Sequence, residues 1–151
     1  MRLLGLDIGE KTIGLAICEE AGQPRPLYTL RRSSRKRELQ HLRELVERYR
    51  IDRIVVGLPL NMDGTAGPAA ERARFFAQWL EEQLQRPTDT CDERLSTVEA
   101  EERLQAMSLS PARCAERIDA VAAAVILEDY LQLPRKDSGY DGPSPADSVP
   151  G

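Results

Sequence analysis

Long apolar runs are missing from this sequence. The longest, "AVAAAVIL" from Ala120 to Leu127, falls far short of the roughly 20 residues that a bilayer-spanning helix needs. No charged segment followed by an apolar one opens the chain, so a soluble cytoplasmic protein is expected, with no membrane partner. Cysteine is also scarce. Cys18, Cys91 and Cys114 are odd in number, far apart and in no CxxC pattern, which argues against a disulfide framework or a zinc site and fits a reducing compartment. The one histidine, His41, stands among charged neighbours and reads as a surface residue. Strong charge imbalance is absent as well. With 21 Lys and Arg against 25 Asp and Glu, the net charge of -4 does not mark a nucleic-acid binder, whose domains are often strongly basic. It still allows a nuclease that holds phosphate through local arginines and metal ions.

What is present is enough for one domain with a real core: 151 residues, 41% hydrophobic and 30% charged. Leu3 to Asp7 and Ile13 to Cys18 read as strands around a tight Gly-containing turn, and "PLYTL" (Pro26 to Leu30) supplies a third, giving an antiparallel meander. Leu39, Leu42, Leu45, Val46 and Tyr49 have helical spacing. "DRIVVGLP" (Asp52 to Pro59) is the continuous apolar run of a buried central strand. Pro68 opens a helix whose apolar face is Ala73, Phe76, Ala77, Leu80 and Leu84. Phe75, Phe76 and Trp79 read as core or interface residues.

A weaker strand follows at Thr88 to Glu93. "STVE" (Ser96 to Glu99) is a capping box for a helix from about Thr97 to Met107. Ser110 and Pro111 give a second helix-start signal, and Asp119 stands before an alanine-rich helix ending near Leu131. The rest, rich in Pro, Gly, Ser and Asp, has little to bury and reads as a disordered tail. Three strands, then alternating helix and strand, predict a mixed sheet with helices packed on it.

Three acids stand where structure alone does not favour them: Asp7 at the end of an apolar strand, Glu93 at the end of a later one, and Asp119 at the start of an apolar helix. An ionised carboxylate removed from water is costly unless paired, hydrogen-bonded or metal-bound. Such strand ends and a helix start can converge at one sheet edge, where hard cations such as Mg2+ take oxygen ligands and a pair of ions can promote attack on a phosphodiester. Each acid also has a plainer reading. Asp7 can close an Asx-type turn, Asp119 can be an N-cap, and Glu93 can be a solvated loop charge.

Phosphate has candidate holders. "GLPLNMDGTAGP" places Gly57, Gly64 and Gly67 before a helix start, whose unpartnered amides suit an anion; an ordinary turn explains the spacing equally well. Lys11 can neutralise a phosphate or simply be solvated. "RRSSRKR", Arg31 to Arg37, can follow a phosphate backbone or form a solvated linker.

"LDIGEKTIGLA", "IVVGLPLNMDGT", "DERLSTVEAEERL" and "IDAVAAAVILEDYL" resemble, in order and spacing, the signatures of the bacterial YqgF family, also called RuvX. The resemblance runs to about Leu131. It implies an α/β, ribonuclease H-like fold, a five-stranded mixed sheet flanked by helices, in a domain over 1–133 with a disordered tail at 134–151. It also implies that Asp7, Glu93 and Asp119 form the catalytic, metal-binding set for Mg2+ or Mn2+, with two ions when substrate is bound. Lys11, Gly64 and Arg94 would position the phosphate. Glu93 would take the electrostatic role that related nucleases give an acid at the position of Gly57, with Asp92 beside it as a substitute.

Two departures from the pattern weaken expected phosphate contacts. Thr12 stands where arginine is frequent, and "ARCAER" before Asp119 has few basic residues, for which Arg113 and Arg117 compensate in part.

Trimming of the 5′ end of pre-16S rRNA in ribosome biogenesis and cleavage of Holliday junctions in DNA recombination and repair are both attached to the family. The expected partners are structured RNA or branched DNA and ribosome-assembly intermediates, with the chain a monomer or homodimer. Two rival readings are a phosphotransferase, whose first phosphate loop also carries DxG but which closes two domains around a nucleotide, and a non-catalytic nucleic-acid-binding assembly factor.

Overall fold

The computed structural model describes residues 1–20, 22–59, 67–92, 102 and 111–132. Strands β1 (Leu3–Ile8), β2 (Thr12–Cys18) and β3 (Arg25–Arg31) form the expected meander, followed by helix α1 (Arg35–Arg48). Strand β4 (Arg53–Leu58), helix α2 (Pro68–Leu84), strand β5 (Thr88–Asp92) and helix α3 (Pro111–Gln132) complete the described elements. The sheet order is β3-β2-β1-β4-β5, with β1 parallel to β4 and β4 parallel to β5. The carboxyl ends of β1, β4 and β5 therefore share one edge.

The period of two in the strands sorts their side chains onto two faces. Leu4, Leu6, Ile13, Leu15, Ile54 and Val56 pack with Leu42 and Leu45 of α1 and with Phe76 and Leu80 of α2. On the other face, Leu3, Ala16, Val55 and Cys91 pack with Ala123, Ala124, Ile126 and Leu127 of α3. That second layer is thin because its strand residues are small. A Cβ at Gly5 would lie 2.7 Å from Leu127 Cγ, and one at Gly14 would overlap the main-chain carbonyl of Asp119. Helix backbone thus lies directly on strand backbone at β2.

The helix starts follow their local chemistry. Ser34 caps α1 by accepting from the Arg37 N–H at 3.2 Å, and Pro68 opens α2 after Gly67. Asp119 corrects the sequence reading: it is not at a helix start but inside α3, which begins at Pro111. No Gly or Pro interrupts the chain between Pro111 and Gln132, so the two start signals merge into one continuous helix. The capping box at Ser96 to Glu99, the helix from Thr97 to Met107 and the tail at 134–151 lie outside the described residues.

Candidate active site

Asp7 is half-buried near the carboxyl end of β1 and pairs in register with Gly14 of β2. It has the same parity as Leu3 and Gly5, so it belongs to the face that α3 covers. Thr12 and Gly14 have that parity on β2. Because α3 rests on Gly14 through the main chain of Asp119, both acids border the same glycine. Thr12 Oγ1 donates to Asp119 Oδ2 at 2.5 Å, tying the strand to the helix. Among the described residues, Oδ1 of Asp119 receives no donor. Carboxylate oxygens in this setting suit a hard divalent cation.

The remaining acid of the expected set, Glu93, lies outside the described residues, as do Gly64 and Arg94. Among the described residues, no group of three His, Cys, Asp or Glu side chains forms a metal-binding cluster. Strand β5 ends with Asp92 paired to Leu58 of β4. One residue beyond the Leu6–Val56 pair stand Asp7 and Gly57, so the strand leading to Glu93 reaches the same edge as Asp7. Glycine at 57 leaves the α3 side of that edge without a side chain between the two strands.

Lys11 is exposed in the β1–β2 turn, where its carbonyl accepts from the Arg32 N–H at 2.8 Å. The same turn is closed by the Gly9 N–H donating to Thr12 O at 2.8 Å. Arg32, counted by the sequence within a basic cluster, is committed to structure. It donates to both carboxylate oxygens of Glu38, at 3.0 and 3.1 Å, and to Gly9 O at 2.9 Å. Glu38 is 1% exposed and also accepts from the Ser33 N–H at 2.9 Å. Burial pushes its carboxyl up, but the Arg32 guanidinium and the Ser33 amide outweigh this and hold it below its ordinary range. The turn that follows Asp7 is therefore braced from α1.

Two features went unrecognised in the sequence. One is the Thr12–Asp119 hydrogen bond, which gives a structural role to the residue that departs from the family pattern. The other is a groove of about 510 Å³ between β3 and α3, lined by Thr12, Tyr28, Arg31, Arg117 and Asp119. It sets two exposed guanidinium groups beside the Asp119 carboxylate. Gly14 within an otherwise apolar strand was the available signal for close helix approach. His41 is half-buried and hydrogen-bonded to Tyr28 at 2.6 Å.

A mixed sheet ordered 3-2-1-4-5 with helices packed on both faces is the ribonuclease H-like fold. Solved structures share the fold. A Thermus thermophilus RuvC in complex with a Holliday junction substrate aligns with TM-score 0.54 at 17% identity, over 87% of this chain and 96% of that one. The fowlpox virus Holliday junction resolvase aligns with TM-score 0.53 at 12% identity, over 87% and 99%.

A family model described as "RuvX: Holliday junction resolvase" matches residues 1–133. A relative from Heliobacterium modesticaldum, named "Putative pre-16S rRNA nuclease", is 47% identical over 132 residues, covering 87% of this chain and 89% of its own. One of the same name from Thermoanaerobacter pseudethanolicus is 41% identical over 133 residues, covering 87% and 96%. The chain belongs to the RuvX family.

Proposed function

We propose that this chain is a metal-dependent phosphodiester hydrolase that processes the 5′ end of pre-16S rRNA. The convergence of Asp7 and Asp119 on Gly14 is the observation that carries the proposal: Asp7 is the cross-strand partner of Gly14 and the Asp119 main chain rests on it, so two acids border one point of the sheet. Asp7, Asp119 and Glu93 hold Mg2+ or Mn2+ in this reading. Two such ions, when bound, supply charge neutralisation and Lewis acidity for hydrolysis of the phosphodiester.

The chain's own residues do the positioning. Thr12 fixes the rotamer of Asp119. Lys11, Arg94 and the loop at Gly64 orient the scissile phosphate, while Arg31 and Arg117 hold the backbone beside it. Water adds to phosphorus, one P–O bond breaks, and the departing oxygen leaves as an alcohol.

Cleavage of branched DNA is the second reading, favoured by the description of the matching family model. No helix among the described residues is long and apolar enough to cross a membrane, and a cytoplasmic site of action accords with an rRNA substrate.

Both readings are tested by incubating the wild type and Asp7→Asn with a labelled pre-16S leader and a four-way DNA junction, in Mg2+ or Mn2+. Cutting of the leader that vanishes in the variant supports rRNA processing, and cutting of the junction alone supports the second reading. Undiminished cutting by folded Asp7→Asn overturns the assignment of the site, and no metal-dependent cutting of either substrate favours the non-catalytic assembly factor.

A further inference from the structure

On the face of the sheet opposite α3, a cleft of about 880 Å³ opens between the β1–β2 turn, the start of α1 and helix α2. Its lining includes Gly9, Arg32, Arg35, Arg72, Phe75 and Phe76. Phe76 is core, with the Arg32 guanidinium 5.4 Å above its ring. Arg35 lies 5.1 Å over the half-buried Trp79 ring. Phe75 differs from both aromatics: it is 66% exposed, one helical turn from Arg72. Arg72 is exposed on the same helix, and among the described residues it forms no ion pair. Among the described residues, the exposed carboxylate lining the cleft is that of Glu10, facing the exposed guanidinium groups of Arg35 and Arg72.

We infer that this cleft is a binding subsite for one unpaired nucleotide, with the base stacked on Phe75 and its phosphate held by Arg72. The inference rests on the nuclease reading above and deepens it by specifying an unpaired strand. An exposed ring one helical turn from an exposed guanidinium suits a nucleotide, which presents an aromatic face and a phosphate together. A base inside a duplex has both faces covered by its neighbours, so only an unpaired base can use Phe75. The volume falls within the range of pockets that enclose small organic ligands.

Position adds to the chemistry. Gly9, in the lining, is two residues beyond Asp7, which at a strand rise of roughly 3.3 Å per residue puts this side of the cleft within about one nucleotide of Asp7. A strand laid over the carboxyl end of β1 would meet Asp7 and Asp119 on one side of the sheet and Phe75 on the other.

The experiment titrates the full chain, in Ca2+, with a single-stranded oligoribonucleotide carrying one central 2-aminopurine, and with the same oligomer annealed to its complement. The wild type should bind the single strand and quench the probe. Phe75→Ala should weaken that binding about 5- to 100-fold and abolish the quenching, and Phe75→Trp should restore both. Arg72→Gln should lower the salt dependence of log K by about one unit while keeping the quenching at saturation. Duplex binding should not respond to Phe75→Ala.

Equal binding and quenching by Phe75→Ala overturns the inference, as does equal loss for single strand and duplex. The two proposals fail separately. A neutral Phe75→Ala beside an inactive Asp7→Asn removes the subsite alone, whereas a stacking Phe75 beside a fully active Asp7→Asn removes the catalytic assignment alone.

Discussion

Thr12 and Asp119, 107 positions apart in sequence, are joined by a hydroxyl-to-carboxylate hydrogen bond of 2.5 Å. The bond ties the edge of the β1–β2 turn to the middle of α3 and restricts the rotamers open to Asp119. Thr12→Val keeps the branched shape and removes the donor. Turnover at saturating substrate should fall about ten- to hundredfold, the worth of a hydrogen bond to a charged group, with KM little changed. Thr12→Ser should recover most of the loss. An unaltered kcat in Thr12→Val would show that Asp119 needs no such support.

Gly14→Ala should be among the most damaging single substitutions. The new methyl would overlap the Asp119 carbonyl, which is helix backbone and cannot rotate away. A loss of about 3 kcal/mol is expected, lowering Tm by on the order of 10 °C. Thermal unfolding followed by circular dichroism measures it, and a Tm within a degree or two of wild type would mean that α3 rides higher on the sheet than described.

Glu38→Gln should uncouple stability from acid. The folded-state carboxyl of Glu38 is held below its ordinary value of 4.5, so its contribution is fully present above that value and is lost as pH falls through the lower folded value. At neutral pH the variant should be less stable by about 2 kcal/mol, a moderate figure because Arg32 remains 26% exposed. The gap should begin to close as pH drops below 4.5 and vanish once pH lies below the lower folded value, where the folded wild type too is protonated. Urea titrations at several pH values test this, and a gap that widens on acidification would contradict the assigned direction.

Arg117→Ala removes an exposed cation from the groove beside Asp119. KM for a nucleic-acid substrate should rise several-fold, and the slope of log K against log salt should fall by about one, with Tm unchanged. A change in kcat without a change in the salt slope would move Arg117 out of the backbone-holding role.

The fold was largely legible because its signals are local. The apolar stretches Leu3 to Asp7 and Ile13 to Cys18 around a Gly-containing turn, the apolar run of β4 and the Pro-led start of α2 each follow from nearby residues. Asp119 reads as a helix start for the same reason: an acid before an alanine-rich run looks like a cap, although nothing between Pro111 and Gln132 breaks the helix. The commitment of Arg32 to Glu38, and of Thr12 to Asp119, depended on three-dimensional proximity that no spacing encodes. Phe75 and Phe76 are adjacent in sequence, yet one is solvent-facing and the other is core, a difference set by a 100° step around α2.

The seam at Gly5 and Gly14 has a consequence for how this protein can diverge. Where side chains separate a helix from a sheet, each core substitution shifts the helix slightly and a residue mounted on it drifts. Here the separation at β2 is set by main chain, which no substitution at other core positions can thin or thicken. The aliphatic layer under α1 and α2 is therefore free to wander in composition over generations while the gauge between Asp7 and Asp119 stays calibrated, and two residues with no side chain carry that inheritance.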